Sequence, residues 1–182
     1  MGCKLRKMLS WLLLLGAIVL GLVLGLGILS PARATAAIRQ LEEAPRQRVY
    51  QSRQTLKDQQ GHNWQVIAFN RIRPNGSTSF DIRLVGFPGV VEIDRSRPLM
   101  LTNSLGQTLR AADASGNLFT ETAHPEPYVG QYDLQPLLSQ VQTEIPLQII
   151  LPTIGGEAVR LSISPLLIQE WKVIANYGNS DV

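Results

Sequence analysis

The chain has 182 residues and a formal net charge of +3, but the excess sits in residues 1–34, where Lys4, Arg6, Lys7 and Arg33 have no acidic counterpart. Residues 35–182 carry a net charge of −1, which argues against a nucleic-acid binder, because phosphate neutralisation needs a clustered basic face. The remaining apolar content suffices for one globular domain and excludes intrinsic disorder, while the single cysteine, Cys3, leaves the body without a disulfide, thiol nucleophile or cysteine metal site.

Lys4, Arg6 and Lys7 precede an uncharged, Leu-rich run from Met8 to Ser30 that ends at Pro31. That is the outline of an export signal, and Ala32-Arg33-Ala34 or Ala34-Thr35-Ala36 offers the small residues a signal peptidase reads. The run Leu9 to Leu29 also matches the roughly 20 apolar residues that span a bilayer, so residues 1–34 are a signal peptide or an N-terminal membrane anchor. In both cases the positive flank stays in the cytoplasm and the body crosses the membrane. Ala17, Gly21 and Gly25 recur at the spacing of packed membrane helices, a pattern that any apolar export segment produces. Cys3 precedes the apolar run, the wrong side for bacterial lipidation, and Arg6 stands where myristoylation needs Ser or Thr.

Residues 35–44 read as a short helical or flexible lead-in that Pro45 interrupts, and a single β-rich domain is expected from 45 to 177, with a flexible tail at 178–182. Val49–Leu56 and Trp64–Arg71 are β-rich runs joined by the polar loop Asp58-Gln59-Gln60-Gly61. After Pro74-Asn75-Gly76, the residues Phe80, Ile82 and Leu84 alternate with Asp81 and Arg83, the period of a strand with one buried face. Short apolar pieces at Val90–Ile93, Leu99–Thr102, Thr108–Ala112 and Leu118–Glu121 continue the meander, and Thr122–Tyr132, with Pro125, Pro127 and Gly130, reads as a crossing loop.

Asp133 reads as an N-cap for a short amphipathic helix near 134–141, with Leu134, Leu137, Leu138 and Val141 on one stripe. Ile145–Leu151 and Val159–Ile163 form a hairpin. A C-terminal helix near 165–177 follows, capped by Ser164, opened by Pro165 and ended by Gly178, with Leu167, Trp171, Ile174 and Ala175 on its apolar face. The fold class is α+β, mainly an antiparallel β meander forming a sandwich or a partly open barrel, with two helices on the sheet.

Only His62 and His124 offer imidazole chemistry. Glu121, His124 and Glu126 place three potential metal ligands in one loop, a spacing that an ordinary solvated loop also gives. Asp58 and His62 can pair beside Ser52, but no Gly-x-Ser-x-Gly elbow marks a nucleophile, and a hairpin turn is the expected role. Gly86-Phe87-Pro88-Gly89 has no lysine to bind phosphate, and Phe87 is expected in the core in preference to an exposed contact. Trp64 near Gly61 invites comparison with barrels that carry apolar ligands, although their Gly-x-Trp spacing is absent. These readings assign no catalytic, cofactor-binding or metal-binding residue.

The runs Leu56-Lys57-Asp58, Gly61 to Ile67, Arg83 to Gly89, Gly130 to Leu134 and Glu170-Trp171, with the exported leader, resemble a cyanobacterial family of small exported proteins of unknown function. The resemblance covers most of 45–175. It implies a periplasmic or thylakoid-lumen location and nothing about chemistry. The expected function is non-catalytic protein–protein contact with an unknown partner, as accessory to a membrane complex, without nucleic acid and with membrane contact only through residues 9–29 if the leader is retained. The alternatives are a carrier of an apolar ligand and a hydrolase or metal-dependent enzyme using His62 or His124.

Overall fold

The computed structural model describes residues 11, 13–16, 38–118 and 126–177. The chain divides into two compact units, Met1–Thr35 and Ala36–Val182. In the first, Trp11 and residues 13–16 are helical. Among the described residues no helix is long and apolar enough to cross a membrane.

The second unit starts before the expected boundary at Pro45, because residues expected to be a helical or flexible lead-in form a strand, β1 (Arg39–Ala44). So short a helical pattern lies below the length at which a helix is stable alone. Pairing with β2 (Gln47–Lys57) supplies backbone partners instead, from Arg39↔Gln51 to Ala44↔Gln47. The hairpin closes over Pro45-Arg46, with Arg46 at a left-handed φ of 64°.

Seven more strands follow: β3 (Asn63–Ile72), β4 (Thr78–Val85), β5 (Leu99–Asn103), β6 (Thr108–Asp113), β7 (Val129–Asp133), β8 (Leu147–Leu151) and β9 (Val159–Ile163). They form one sheet in the order β1-β2-β3-β4-β7-β6-β5-β8-β9, every pair antiparallel. The sheet curls without closing. β2 and β9 meet through the single bridge Asp58↔Leu161, reinforced by Gln59, whose Nε2 donates to Ala158 O at 2.9 Å while its Oε1 accepts from Arg160 N at 2.8 Å.

Val90–Ile93, expected as a strand, is a turn with a lone bridge Ile93↔Thr153; Pro88 has no ladder donor and Gly89 takes a left-handed φ of 77°. Of the expected strand Leu118–Glu121, Leu118 belongs to a turn and 119–121 lie outside the described residues. The expected loop 122–132 contains β7, the strand that joins the two halves of the sheet. Gly130 is there for packing, since a Cβ would stand 3.1 Å from the Tyr132 ring. The short helix near 134–141 is a single 3-10 turn, Gln135–Leu137, which still buries Leu134, Leu137 and Val141.

The alternation along β3 separates two apolar clusters. Trp64, Val66 and Ala68 join Phe80, Ile82, Leu84 and Tyr132 in the main core, whereas Ile67 and Phe69 face outward with Val49. Arg71 and Arg83 cover that outer cluster, their guanidinium carbons 5.3 and 5.2 Å from the Phe69 centroid. Helix α1 (Pro165–Asn176) starts as expected, with Ser164 Oγ accepting from Leu167 N at 3.4 Å. It packs on β2 and β3 through Leu167, Ile168, Trp171, Ile174 and Ala175. The last carbonyls of a helix lack intrahelical donors, and here Tyr177 N donates to that of Ile174 at 3.1 Å. Fully buried Asn70 of β3 donates Nδ2 to the oxygens of Ile174, Ala175 and Tyr177 at 3.1, 3.2 and 2.8 Å. Tyr177 then stacks on Tyr50, centroids 4.3 Å apart. The expected helix stop, Gly178, lies outside the described residues, as does the tail 178–182.

Candidate functional site

Asp58 and His62 do meet. The two residues close the β2–β3 turn, His62 Nδ1 lying 3.2 Å from Asp58 Oδ2, with the carboxylate side chain buried and the imidazole side chain 41% exposed. Asp58 is already committed to other donors, however. Its Oδ1 accepts from the backbone N–H of Gln60 and of His62, both at 2.9 Å, and its Oδ2 accepts from Trp64 Nε1 at 3.1 Å. Burial works to raise the Asp58 pKa, but the bonds from Trp64, His62 and Gln60 outweigh it and hold the carboxyl below its usual range. With three donors on its oxygens besides the His62 ring, this carboxylate folds the turn and anchors Trp64.

Ser52 is not part of that pair. It lies inward on β2 opposite Ala68 and near Glu170 of α1, where neither Ser52 Oγ nor Glu170 Oε1 completes a hydrogen bond. Burial pushes the Glu170 pKa up, and proximity to Ser52 offsets part of the rise. Of the three loop ligands, Glu121 and His124 lie outside the described residues and Glu126 is exposed. Among the described residues there is no group of three His, Cys, Asp or Glu side chains suited to a metal ion.

Phe87 is not in the core as expected; it is 63% exposed. The reason is non-local. At this end of the sheet the interior place is taken by Trp64, only 1% exposed, whose ring presses on buried Gly86. The chain leaving β4 therefore turns outward, with Val90 N donating to Phe87 O at 3.3 Å. A shallow cleft of about 330 Å³ adjoins Phe87, lined also by Trp64, Val85 and Gln65.

The segment after this turn is laced to its surroundings. Gly86 N donates to Tyr128 O at 2.9 Å, Ile93 N to Pro127 O at 2.8 Å, and Ile154 N to Glu92 O at 2.8 Å. Arg95 clamps it to β7 through Val129 O at 2.7 Å and through Glu126 O. Val90, 45% exposed, and Ile154, 57% exposed, are held at the same end as Phe87. The sequence pointed to Phe87 and placed Val90 at the start of a strand; Ile154 carries no local signal, since it is brought to this end only through the pairing of the β8–β9 turn with residues 92–94. Trp171, by contrast, is buried against the main core as its helical spacing predicted.

A further polar groove of about 570 Å³ runs along the outer face near β4 and β7, where Asp81 and Asp133 stand directly opposite one another beside Arg73. Burial, then the Asp133 charge, raises the pKa of Asp81.

No curated protein and no solved structure matches the chain. Residues 36–174, from the lead-in to β1 through the last buried turn of α1, match the family model described as a protein of unknown function, DUF3122, and the chain belongs to that family.

Proposed function

We propose that this is an exported, non-catalytic protein of cyanobacterial type that works by protein–protein contact in the periplasm or thylakoid lumen, as accessory to a membrane complex. The carrying observation is the end of the sheet where Phe87, Val90 and Ile154 stand exposed on hydrogen-bonded, fixed segments. An exposed aromatic beside a shallow cleft on a rigid frame is the anatomy of an interface hot spot, because little conformational entropy remains to be lost on docking. Export is supported by the basic flank Lys4, Arg6 and Lys7, the apolar run after it and the small residues around Ala34.

The competing readings gain less. The interior where a carried apolar ligand would sit is filled by Trp64, Phe80, Ile82, Leu84 and Tyr132. The Asp58–His62 pair has its carboxylate engaged in the turn. A photo-crosslinking amino acid placed at Phe87 in the native host tests the proposal. Leu105, 74% exposed at the turn after β5 at the other end of the sheet, is the control. A discrete adduct from position 87 and none from 105 is the expected outcome; the same adducts from both positions would remove the support for docking at this end.

A further inference from the structure

The end of the sheet opposite Phe87 carries a different concavity. There the β1–β2 and β3–β4 turns lie side by side, because Arg48 of β2 pairs with Ile72 of β3. Between them is an open cleft of about 510 Å³, lined by Gln40, Glu42, Arg46, Arg48, Ile72 and Arg73. Three guanidinium groups face one carboxylate, a local charge of +2. Glu42 is the cross-strand partner of Arg48, yet the side chains of Arg46 and Arg48 make no hydrogen bond or ion pair with any described residue. Arg73 makes one side-chain hydrogen bond, from Nη2 to Ser79 Oγ at 3.3 Å.

The backbone gives an independent indication. The described residues include six positive-φ positions, and glycine occupies five of them, Gly61, Gly76, Gly89, Gly106 and Gly155; the sixth is Arg46. A left-handed backbone is disfavoured for an L side chain and costs glycine nothing. The chain therefore accepts local strain at the one such position whose side chain adds a charge to this cleft, and strain of that kind concentrates at functional sites.

We propose that this cleft binds a phosphate group. A phosphate monoester carries between one and two negative charges near neutral pH, so its dianion cancels the local charge, and the planar guanidinium forks match its oxygens. The cleft is larger than a phosphate ion, and Ile72 and Pro74 give the organic part of an ester an apolar surface to rest on. That part is either a soluble ester or the glycerol backbone of an anionic lipid.

The test titrates the full chain with inorganic phosphate at matched ionic strength and follows the arginine Nε–H resonances by NMR. Saturable shifts at Arg46, Arg48 and Arg73 are expected. Arg48→Gln should weaken binding roughly tenfold, as loss of a charge-assisted fork does. Arg46→Gly is the sharper variant: it should weaken binding while keeping or raising the melting temperature, because it removes a guanidinium and the backbone strain together. Glycerol 3-phosphate and a short-chain phosphatidic acid below its micelle concentration then separate the sources. Equal affinities assign a soluble ester, and tighter binding of the phosphatidic acid assigns a lipid headgroup. Absence of saturable shifts in the folded wild-type chain, or unchanged phosphate affinity in both folded variants, would overturn the proposal.

Discussion

Replacing Gly86 by alanine tests how the core sets the position of Phe87. A Cβ there would approach the six-membered ring of Trp64 to 2.8 Å at Cη2, 3.0 Å at Cζ3 and 3.1 Å at Cζ2, closer than carbon atoms pack without displacement. The ring has nowhere to retreat. Trp64 is buried in the main core, its Nε1 is held by Asp58 Oδ2 at 3.1 Å, and Gly86 is itself tied to Tyr128 O. The φ of Gly86 is not positive, so the penalty is steric, and overpacking of this kind costs about 1–3 kcal/mol out of the roughly 5–15 that a domain possesses. Trp64→Phe removes part of the offending ring, so in that background the penalty of Gly86→Ala should fall by about 1 kcal/mol or more, the coupling found between residues in contact. Gly89→Ala is the control: its φ is 77° and a Cβ would meet nothing within 4 Å, so its penalty lies in the backbone and should be the same in both backgrounds. Urea unfolding followed by far-ultraviolet circular dichroism measures all of these. An equal cost of Gly86→Ala with Trp64 and with Phe at that position would refute the reasoning.

Trp171→Ala should cost about 3–5 kcal/mol, the range for deleting a large buried aromatic, and a melting temperature within a degree or two of wild type would show that α1 is not anchored by this ring. Asp58 has a folded pKa below its unfolded value near 3.8. Its contribution is therefore complete above that value and lost as pH falls through the folded pKa, so the stability gap between wild type and Asp58→Ala should be largest near pH 7 and shrink under acid, as denaturant midpoints at pH 7 and pH 3 will show. Glu170 has the opposite sign: with its pKa raised by burial, ionisation weakens the fold as pH rises, so Glu170→Gln should stabilise at pH 7 and make little difference below pH 4. A gain that is the same at both values would count against a buried, reluctantly ionised carboxyl.

What could be read from the sequence was local. The alternation around Ile82 located β4, and Ser164-Pro165 located the start of α1, because a face or a cap is written in consecutive residues. β7 escaped because Gly130 and Gln131 break the apolar alternation for reasons that lie elsewhere: Gly130 makes room for the Tyr132 ring, and the Arg83 guanidinium donates to Gln131 Oε1 from β4. The same holds for Phe87, whose exposure depends on Trp64 having filled the interior. The arginine cleft was equally invisible, since Arg48 and Arg73 converge only through the register of β2 on β3, and no neighbouring residue reports that Arg46 will adopt a left-handed φ.

The most direct measurement of docking at the Phe87 end is quantitative capture from solubilised native membranes by three forms of the chain: wild type, Phe87→Ser and Leu105→Ser. Phe87 and Leu105 are both exposed, so neither change should lower the melting temperature appreciably. Capture of one partner by wild type and Leu105→Ser, reduced at least tenfold by Phe87→Ser as hot-spot loss predicts, is the expected result. Capture of the same partner in equal amount by all three forms would contradict it.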